Sequence, residues 1–298
     1  MKVSVLLTCF NHLKYLPDAL DSVRQQTHKD LEVIAIDDCS TDGTREWLSQ
    51  QPDITVILNP TNMGTYATLN VGLQAATGDG IAILNDDDIW LPSKLERQVQ
   101  LLNSHPEVGL VHTNGLFVDG EGHEVPGAPL GFLYPKFTTG KNLLPLIYAN
   151  KIIASAALVR RQCFERLGTF NGAYFGSGDW EMWLRIAEQY ELGFVDEVLT
   201  KYRVHIGNAS KKHEKIWQDD ERLRLWIEAR NWGDGSPEWN LALAHNAACL
   251  GTIKKLNGKA SEARNMYALS IRRMPTRMKS YARWLTTFLP NPLFRRLI

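Results

Sequence analysis

The sequence predicts an α/β protein in which a Rossmann-like, mainly parallel sheet carries helices on both faces and a helical C-terminal appendage follows. Two observations predict it. Short apolar runs rich in β-branched residues alternate with helically spaced leucines from Val3 to Trp90, and beyond Ser210 the strand signals stop while helical periodicity continues.

Taken in order, Val3–Leu7 reads as the first strand, and Leu16, Leu20 and Val23 then recur at helical spacing. Leu31–Ile36 is the second strand. Asp37–Thr44 follows as a loop of capping and turn residues that leads into a short helix through Trp47, with Asp42 the best-placed cap. A third strand is expected at Ile54–Leu58, and the helix after it carries Leu69 and Leu73 toward Ala76. Gly80–Leu84 is a fourth apolar run, and Pro92 starts the next helix. These elements make residues 1–210 one domain and 211–298 a second, helical region with helices at Ile216–Ala229, Leu241–Leu256 and Ala260–Met274.

The most informative segment is the end of that fourth run, where Leu84-Asn85 gives way to Asp86-Asp87-Asp88. Ionised carboxylates are expensive to desolvate, so three in succession at the end of a buried strand call for a counter-charge, and a hard divalent cation supplies one. The alternative is a solvated acidic turn. Position favours the cation, because loops after the strands of such a sheet share the edge at which α/β proteins bind ligands. Thr8–Asn11, Asp37-Asp38 and Asp86–Asp88 are therefore expected to converge. No G-x-G-x-x-G and no P-loop lysine motif is present, so a diphosphate bound there would be neutralised by the metal and not by a helix N-terminus.

Val3–Asn11, Ile36–Thr44, Asn62-Met63-Gly64, Leu84–Leu95 and Gly178–Arg185 together resemble the family 2 glycosyltransferases of the GT-A fold, in order and at familiar spacing, over roughly residues 1 to 210. The resemblance implies an inverting enzyme that uses a nucleoside diphosphate sugar, with uracil the commonest base, and Mn2+ or Mg2+. It implies that Thr8 and Phe10 line the nucleobase pocket, that Asn11 belongs to the donor site, that Asp38 accepts a hydrogen bond from the base, and that Asn62 and Gly64 bring backbone near the ribose. Asp86 and Asp87 match the metal motif, with Asp87 the direct ligand and Asp86 on the donor side. Asp179 matches the catalytic base. Asn85 stands where many members carry an aspartate, which removes a charge from that position. Tyr202-Arg203-Val204-His205 resembles a loop that folds over the donor diphosphate, which would give Arg203 a bidentate fork on phosphate and His205 a place on the metal.

Each residue also has a structural reading. Phe10 could pack in the core, Asp38 could cap the following helix, and Asp179 could cap the helix that begins at Trp180. Trp180 and Trp183 either present an apolar platform to an acceptor sugar or pack inside. Residues 119–140, with Phe132, Tyr134 and Phe137, read as an acceptor-side flap or as a disordered insertion.

Acidic and basic residues balance at 33 each, so no global field attracts nucleic acid. The four cysteines show no metal-binding spacing and suit free thiols in a reducing cytosol. Met1-Lys2 leads straight into the first strand and no apolar run approaches the ~20 residues of a membrane span, so a cytoplasmic location is expected. From Met266 to Ile298 there is no acidic residue, while Arg272, Arg273, Arg277, Lys279, Arg283, Arg295 and Arg296 interleave with Tyr281, Trp284, Phe288, Leu289, Leu293 and Phe294. That composition predicts peripheral contact with an anionic membrane surface, at the inner face of the cytoplasmic membrane. The competing reading is a helical cap. The acceptor is expected to be a glycan or lipid-linked glycan in cell-surface polysaccharide assembly. The alternatives are a sugar-1-phosphate nucleotidyltransferase, which would need a Gly-rich basic loop after the first strand, and a nucleotide-sugar-binding protein without catalysis.

Overall fold

The computed structural model describes residues 1–125, 138–208 and 212–289. The chain divides into two compact units, Met1–Asn142 with Lys151–Lys211, and Leu143–Asn150 with the chain from Lys212 onward. Phe132, Tyr134 and Phe137 of the expected flap, and Leu293, Phe294, Arg295 and Arg296 of the tail, lie outside the described residues.

The first unit is built on an eight-stranded sheet. Its strands are β1 (Val3–Cys9), β2 (Leu31–Asp37), β3 (Thr55–Leu58), β4 (Gly80–Asn85), β5 (Ile89–Trp90), β6 (Val108–Val118), β7 (Ala157–Arg160) and β8 (Glu191–Arg203), in the spatial order β3-β2-β1-β4-β7-β6-β8-β5. Parallel pairing joins β3, β2, β1 and β4, and again β6 and β8. β7 enters antiparallel between β4 and β6, and β5 pairs antiparallel with β8. All seven residues of β1 are buried, as a strand covered on both faces requires. Helices α1 (Leu16–Arg24), α2 (Thr44–Ser49), α3 (Thr65–Ala75) and α4 (Lys94–Ser104) supply part of that cover, and Leu16, Leu20, Leu69 and Leu73 are buried as their spacing predicts. Leu95, Val99 and Leu102 of α4 join the core formed by β1, β4 and β6.

The register explains why distant carboxylates meet. Cys9 of β1 pairs with Asp37 of β2, and Thr8 pairs with Asn85 of β4, so the three strands end level. The backbone stitches those ends together: Asp38 N donates to Cys9 O at 2.8 Å and Asp86 N to Thr8 O at 3.2 Å. The convergence expected from the alternating pattern is therefore present in the structure.

The second unit comprises α5 (Leu143–Tyr148), α8 (His213–Ala229), α9 (Pro237–Leu256), α10 (Ala260–Arg273) and α11 (Met278–Thr286), α6 (Arg161–Leu167) and α7 (Gly178–Gln189) belonging to the first. Ser236 caps α9 by accepting from Trp239 N, with Pro237 at the first helical position. Ala248, Ala263 and Tyr267 form a small core against which Trp284 of α11 packs. The stretch read as a basic, aromatic tail thus contains a helix with one face packed, and α5 joins this unit from within the first, a placement the periodicity did not indicate.

Candidate active site

The metal-side half of the site begins at Asp86, which is 4 % exposed. Its Oδ2 accepts from Phe10 N at 2.7 Å, and its Oδ1 lies 2.8 Å from His12 Nδ1. Burial raises the Asp86 carboxyl, and the His12 hydrogen bond pulls it back only in part. Burial by itself would depress His12, but the bond to Asp86 and the charges of Asp86, Asp87 and Asp42 outweigh it and raise the imidazole. The next carboxylate, Asp87, has Oδ2 3.0 Å from His205 Nε2 and 3.1 Å from Asn208 Nδ2. Asp88 turns inward: Oδ2 accepts from Ser155 Oγ at 2.5 Å and Oδ1 from Arg203 N at 3.0 Å. Burial and the charge of Asp87 hold its carboxyl well above the usual range. Three adjacent aspartates therefore have three different surroundings.

Ligand atoms of His12, Asp87 and His205 lie within 4.8 Å of one another. A mixed imidazole and carboxylate set of this kind could hold a divalent cation. His12 was not among the residues singled out from the sequence; its signal was only its place one residue after Asn11. Two further observations refine the sequence reading of this side. Gly207 N donates to His205 Nδ1 at 3.1 Å, and since an amide N–H can only donate, the neutral ring carries its proton on Nε2 and gives it to Asp87. Arg203 presents no fork toward phosphate. It is 2 % exposed, with Nε on Asp87 O at 2.9 Å, NH2 on Asp18 Oδ2 at 3.1 Å, NH1 on the carbonyls of Asp119 and Gly120, and the guanidinium 4.7 Å from the Tyr15 ring centroid. A planar group with five donors is well suited to pinning a loop, and here it fixes the backbone that presents Asp87.

The nucleotide-side half is organised by Asp38. Its carboxylate accepts from Met63 N at 2.8 Å, Gly64 N at 2.8 Å and Asn59 Nδ2 at 3.0 Å, while Asn62 Nδ2 donates to its carbonyl at 3.2 Å. Asp38 does not cap α2. The N-cap position is Gly43, and Asp42 just before it accepts from Thr44 N at 3.1 Å and, outside the helix, from Leu13 N at 2.9 Å. Gly64 has φ +83° with no atom within 4 Å of where a Cβ would stand, so an open, left-handed backbone borders the site here. Asn11, at φ 55°, ties two loops: its N donates to Ser40 Oγ and its Oδ1 accepts from Thr41 N at 2.7 Å. Phe10 is 40 % exposed, which removes the core reading for it, whereas Thr8 is largely buried with its hydroxyl 3.5 Å from Asn85 Oδ1.

Asp179 belongs to the same half through Tyr66. The Tyr66 hydroxyl, in the first turn of α3, donates to Asp179 Oδ1 at 3.1 Å. Burial and the neighbouring Asp179 charge push that phenol well above its ordinary range, so it stays a donor. Asp38 anchors Gly64, Gly64 starts α3, and α3 positions Tyr66 on Asp179. The N-cap of α7 is Ser177, so Asp179 sits inside the first turn and is not the cap. Trp180 and Trp183 are buried and form no exposed platform; Trp183 meets Phe170 edge-on at 6.2 Å. Glu181 is committed to Arg185 through two contacts of 2.9 Å. Residue 178 must be glycine for a packing reason: a Cβ there would stand 2.7 Å from the Tyr66 ring. Gly178→Ala is therefore expected to cost about 1–3 kcal/mol of stability by overpacking and to tilt Tyr66 away from Asp179, read as a lower denaturant midpoint together with lower turnover.

The ends of β1, β2 and β4 thus gather acidic and imidazole side chains beside the open backbone at Gly64, with Asp179 held through Tyr66. The family model for glycosyl transferase family 2 matches residues 4–168, more than half of the chain, and the protein belongs to that family; it is a glycosyltransferase. An uncharacterised glycosyltransferase of Nostoc sp. is 39% identical over 116 residues, covering 38% of this chain and 36% of the relative. One of Rickettsia prowazekii is 26% identical over 223 residues, 72% of this chain and 70% of the relative. Among solved structures, S. aureus TarS 1-349 in complex with UDP-GlcNAc aligns with a TM-score of 0.68 at 18% identity over 97% of this chain and 89% of that one. The mannosyltransferase PcManGT from Pyrobaculum calidifontis, in complex with GDP-Man and Mn2+, aligns with a TM-score of 0.62 at 22% identity over 97% and 86%. These likenesses establish the GT-A fold.

Proposed function

We propose that the protein is an inverting, metal-dependent glycosyltransferase that moves a sugar from a nucleoside diphosphate donor, UDP-linked by preference, to a hydroxyl of a glycan or lipid-linked glycan in cell-surface polysaccharide assembly. The observation that carries the reading is the joining of two carboxylate sets at one sheet edge: Asp86 and Asp87 after β4, and Asp38 after β2, with Asp179 tied to the latter through Tyr66. In this reading Phe10 and Thr8 flank the base, Asp38 holds the loop of Asn62 and Gly64 against the nucleoside, and Asp87 with its neighbouring imidazoles would hold the cation. When bound, Mn2+ or Mg2+ stabilises charge developing on the diphosphate leaving group without a protonation step. Asp179 takes the proton of the acceptor hydroxyl, a contribution of about 10² to 10⁴-fold. Tyr66 orients that carboxylate. Arg203 and Ser155 fix the backbone and Asp88 behind the metal side. Donor binding tests the reading: calorimetry over a panel of UDP-, TDP- and GDP-sugars is expected to find one base whose affinity requires Mn2+, and a panel without any metal-dependent binder would contradict it.

The membrane reading draws support from α11. Met278, Tyr281 and Leu285 follow helical spacing and are 72, 37 and 61 % exposed, whereas Trp284 packs inward and Phe288, just past the helix, meets it edge-on at 5.3 Å. One face thus caps the helical unit and the other offers apolar side chains beside Lys279 in an acid-free segment. Among the described residues no helix is long and apolar enough to cross a membrane. Replacing Met278 and Leu285 with Glu is expected to abolish co-sedimentation with vesicles rich in anionic lipid, at unchanged melting temperature, and binding by the parent is expected to weaken at high salt. Absence of vesicle binding by the parent protein would refute this attachment.

A further inference from the structure

In the helical unit, Arg277 and Arg283 differ from Arg224, Lys254 and Arg273. Arg224 meets Asp220 at 3.0 Å, Lys254 meets Glu221 and Glu262 at 2.6 Å each, and Arg273 meets Glu228 at 2.7 Å. Arg277 and Arg283 are also half-buried, yet among the described residues neither has a carboxylate partner. Arg277 NH1 donates to Ala244 O at 3.0 Å and NH2 to His245 Nδ1 at 3.1 Å, while Arg283 NH1 reaches Thr252 Oγ1 at 3.5 Å. These acceptors are neutral, because His245 is pushed down to about 4 by burial and then by the charges of Arg224, Arg277 and Arg283. Since Nδ1 accepts from Arg277, Nε2 carries the ring proton and donates to Cys249 Sγ at 3.3 Å. His245, Cys249 and Thr252 share one face of α9, with Arg277 against its first residue and Arg283 against its last. Tyr148 of α5 lies against the His245 ring at 5.1 Å, and the Tyr267 hydroxyl of α10 is 3.0 Å from Thr252 Oγ1. The titratable groups that act on Arg277 are Cys249, Arg283 and Tyr148, and those that act on Tyr267 are Arg283 and Cys249; no carboxylate is among them.

We propose that Arg277 and Arg283 form a binding site for a phosphate group, over the face of α9 that carries His245, Cys249 and Thr252. A guanidinium does not shed its proton, so two of them sheltered near one another call for an anion. Burial first, and the charge of Arg283 with it, pull Arg277 below its ordinary range, which is the cost an anion would relieve. Of the donors each guanidinium carries, Arg277 spends two and Arg283 one, which leaves the others for a tetrahedral oxyanion. A lipid headgroup offers such oxygens, and the exposed Met278, Tyr281 and Leu285 of α11 would meet the bilayer beside it. A free phosphate offers the same oxygens without the bilayer. The site lies wholly in the helical unit and does not depend on the donor chemistry at the sheet edge.

Two binding measurements on the full chain, at constant ionic strength, test the site and separate the sources. Equilibrium dialysis of radiolabelled inorganic phosphate reads the free form, and co-sedimentation with phosphatidylglycerol vesicles, against phosphatidylcholine vesicles, reads the headgroup. The expected result is binding in at least one arm that weakens about tenfold or more in Arg277→Gln and in Arg283→Gln, through loss of charge-assisted hydrogen bonds. Lys279→Gln, which removes an exposed charge from the same segment, is expected to weaken it less, and Asp87→Ala to leave it at the native level. Hydrogen exchange on the native protein needs no variant to fold. The bound phosphate or vesicle is expected to slow exchange around Arg277 and Arg283. Binding in the vesicle arm alone makes the ligand a lipid headgroup; binding of inorganic phosphate makes it a free phosphate. Binding in neither arm overturns the site, as does binding that survives both arginine substitutions or native exchange that the ligand leaves unchanged there. Binding that depends on Asp87 instead puts the phosphate at the sheet edge and overturns it as well.

Discussion

Asp179→Asn is expected to bind donor as the parent does and to turn over about two orders of magnitude more slowly, or worse. The amide preserves the shape and the oxygen that accepts from Tyr66 at 3.1 Å, so α7 and the loop before it keep their places. What it lacks is the capacity to take a proton from the acceptor hydroxyl. Loss of a transition-state interaction alone lowers kcat and kcat/KM together, leaving donor affinity untouched. Near-parental turnover would move the base elsewhere. Glu181, the nearest other carboxylate in the helix, is already paired twice with Arg185 and would have to be released to serve.

Asp87→Ala is expected to abolish the metal dependence of donor binding. The substitution removes a carboxylate within reach of both histidines and leaves the diphosphate charge uncompensated on a protein with no glycine-rich phosphate loop and no phosphate-facing Arg203. Calorimetry of the preferred donor with Mn2+ and with a chelator should give the same weak affinity for this variant and different affinities for the parent. Equal affinities in the parent as well would remove the metal from the account. His205 and Asn208 both lose their Asp87 partner in the variant, so its melting temperature belongs beside the titration.

Much of this site was legible because charge at a strand end is a loud signal. An apolar run that stops in Asp86-Asp87-Asp88, and another that stops in Asp37-Asp38, fix where two loops leave a sheet, and parallel pairing brings them together whatever lies between. The division of labour was not legible. Nothing in the spacing says that Asp86 would meet a histidine 74 positions earlier, or that Asp88 would turn to Ser155. Arg203 illustrates the limit well: a Tyr-Arg-x-His pattern suggests a phosphate ligand, yet tertiary packing over Tyr15 and against Asp18 consumes its donors. Tyr66 was missed because a lone tyrosine in a helix reads as core until the fold places a carboxylate at its hydroxyl. The four-residue strand β7 and the short α5 escaped for another reason, since both are too brief for periodicity to register and are placed by the neighbours they pair or pack with.

Acceptor-dependent release of nucleoside diphosphate is the measurement closest to the central claim. With the nucleotide sugar that binds best and a set of glycan and lipid-linked acceptors, the account predicts release that requires both acceptor and Mn2+, stops on chelation, and falls by about 10²-fold or more in Asp179→Asn. Release that proceeds at the same rate with the cation chelated, or with Asp179 replaced, would contradict it.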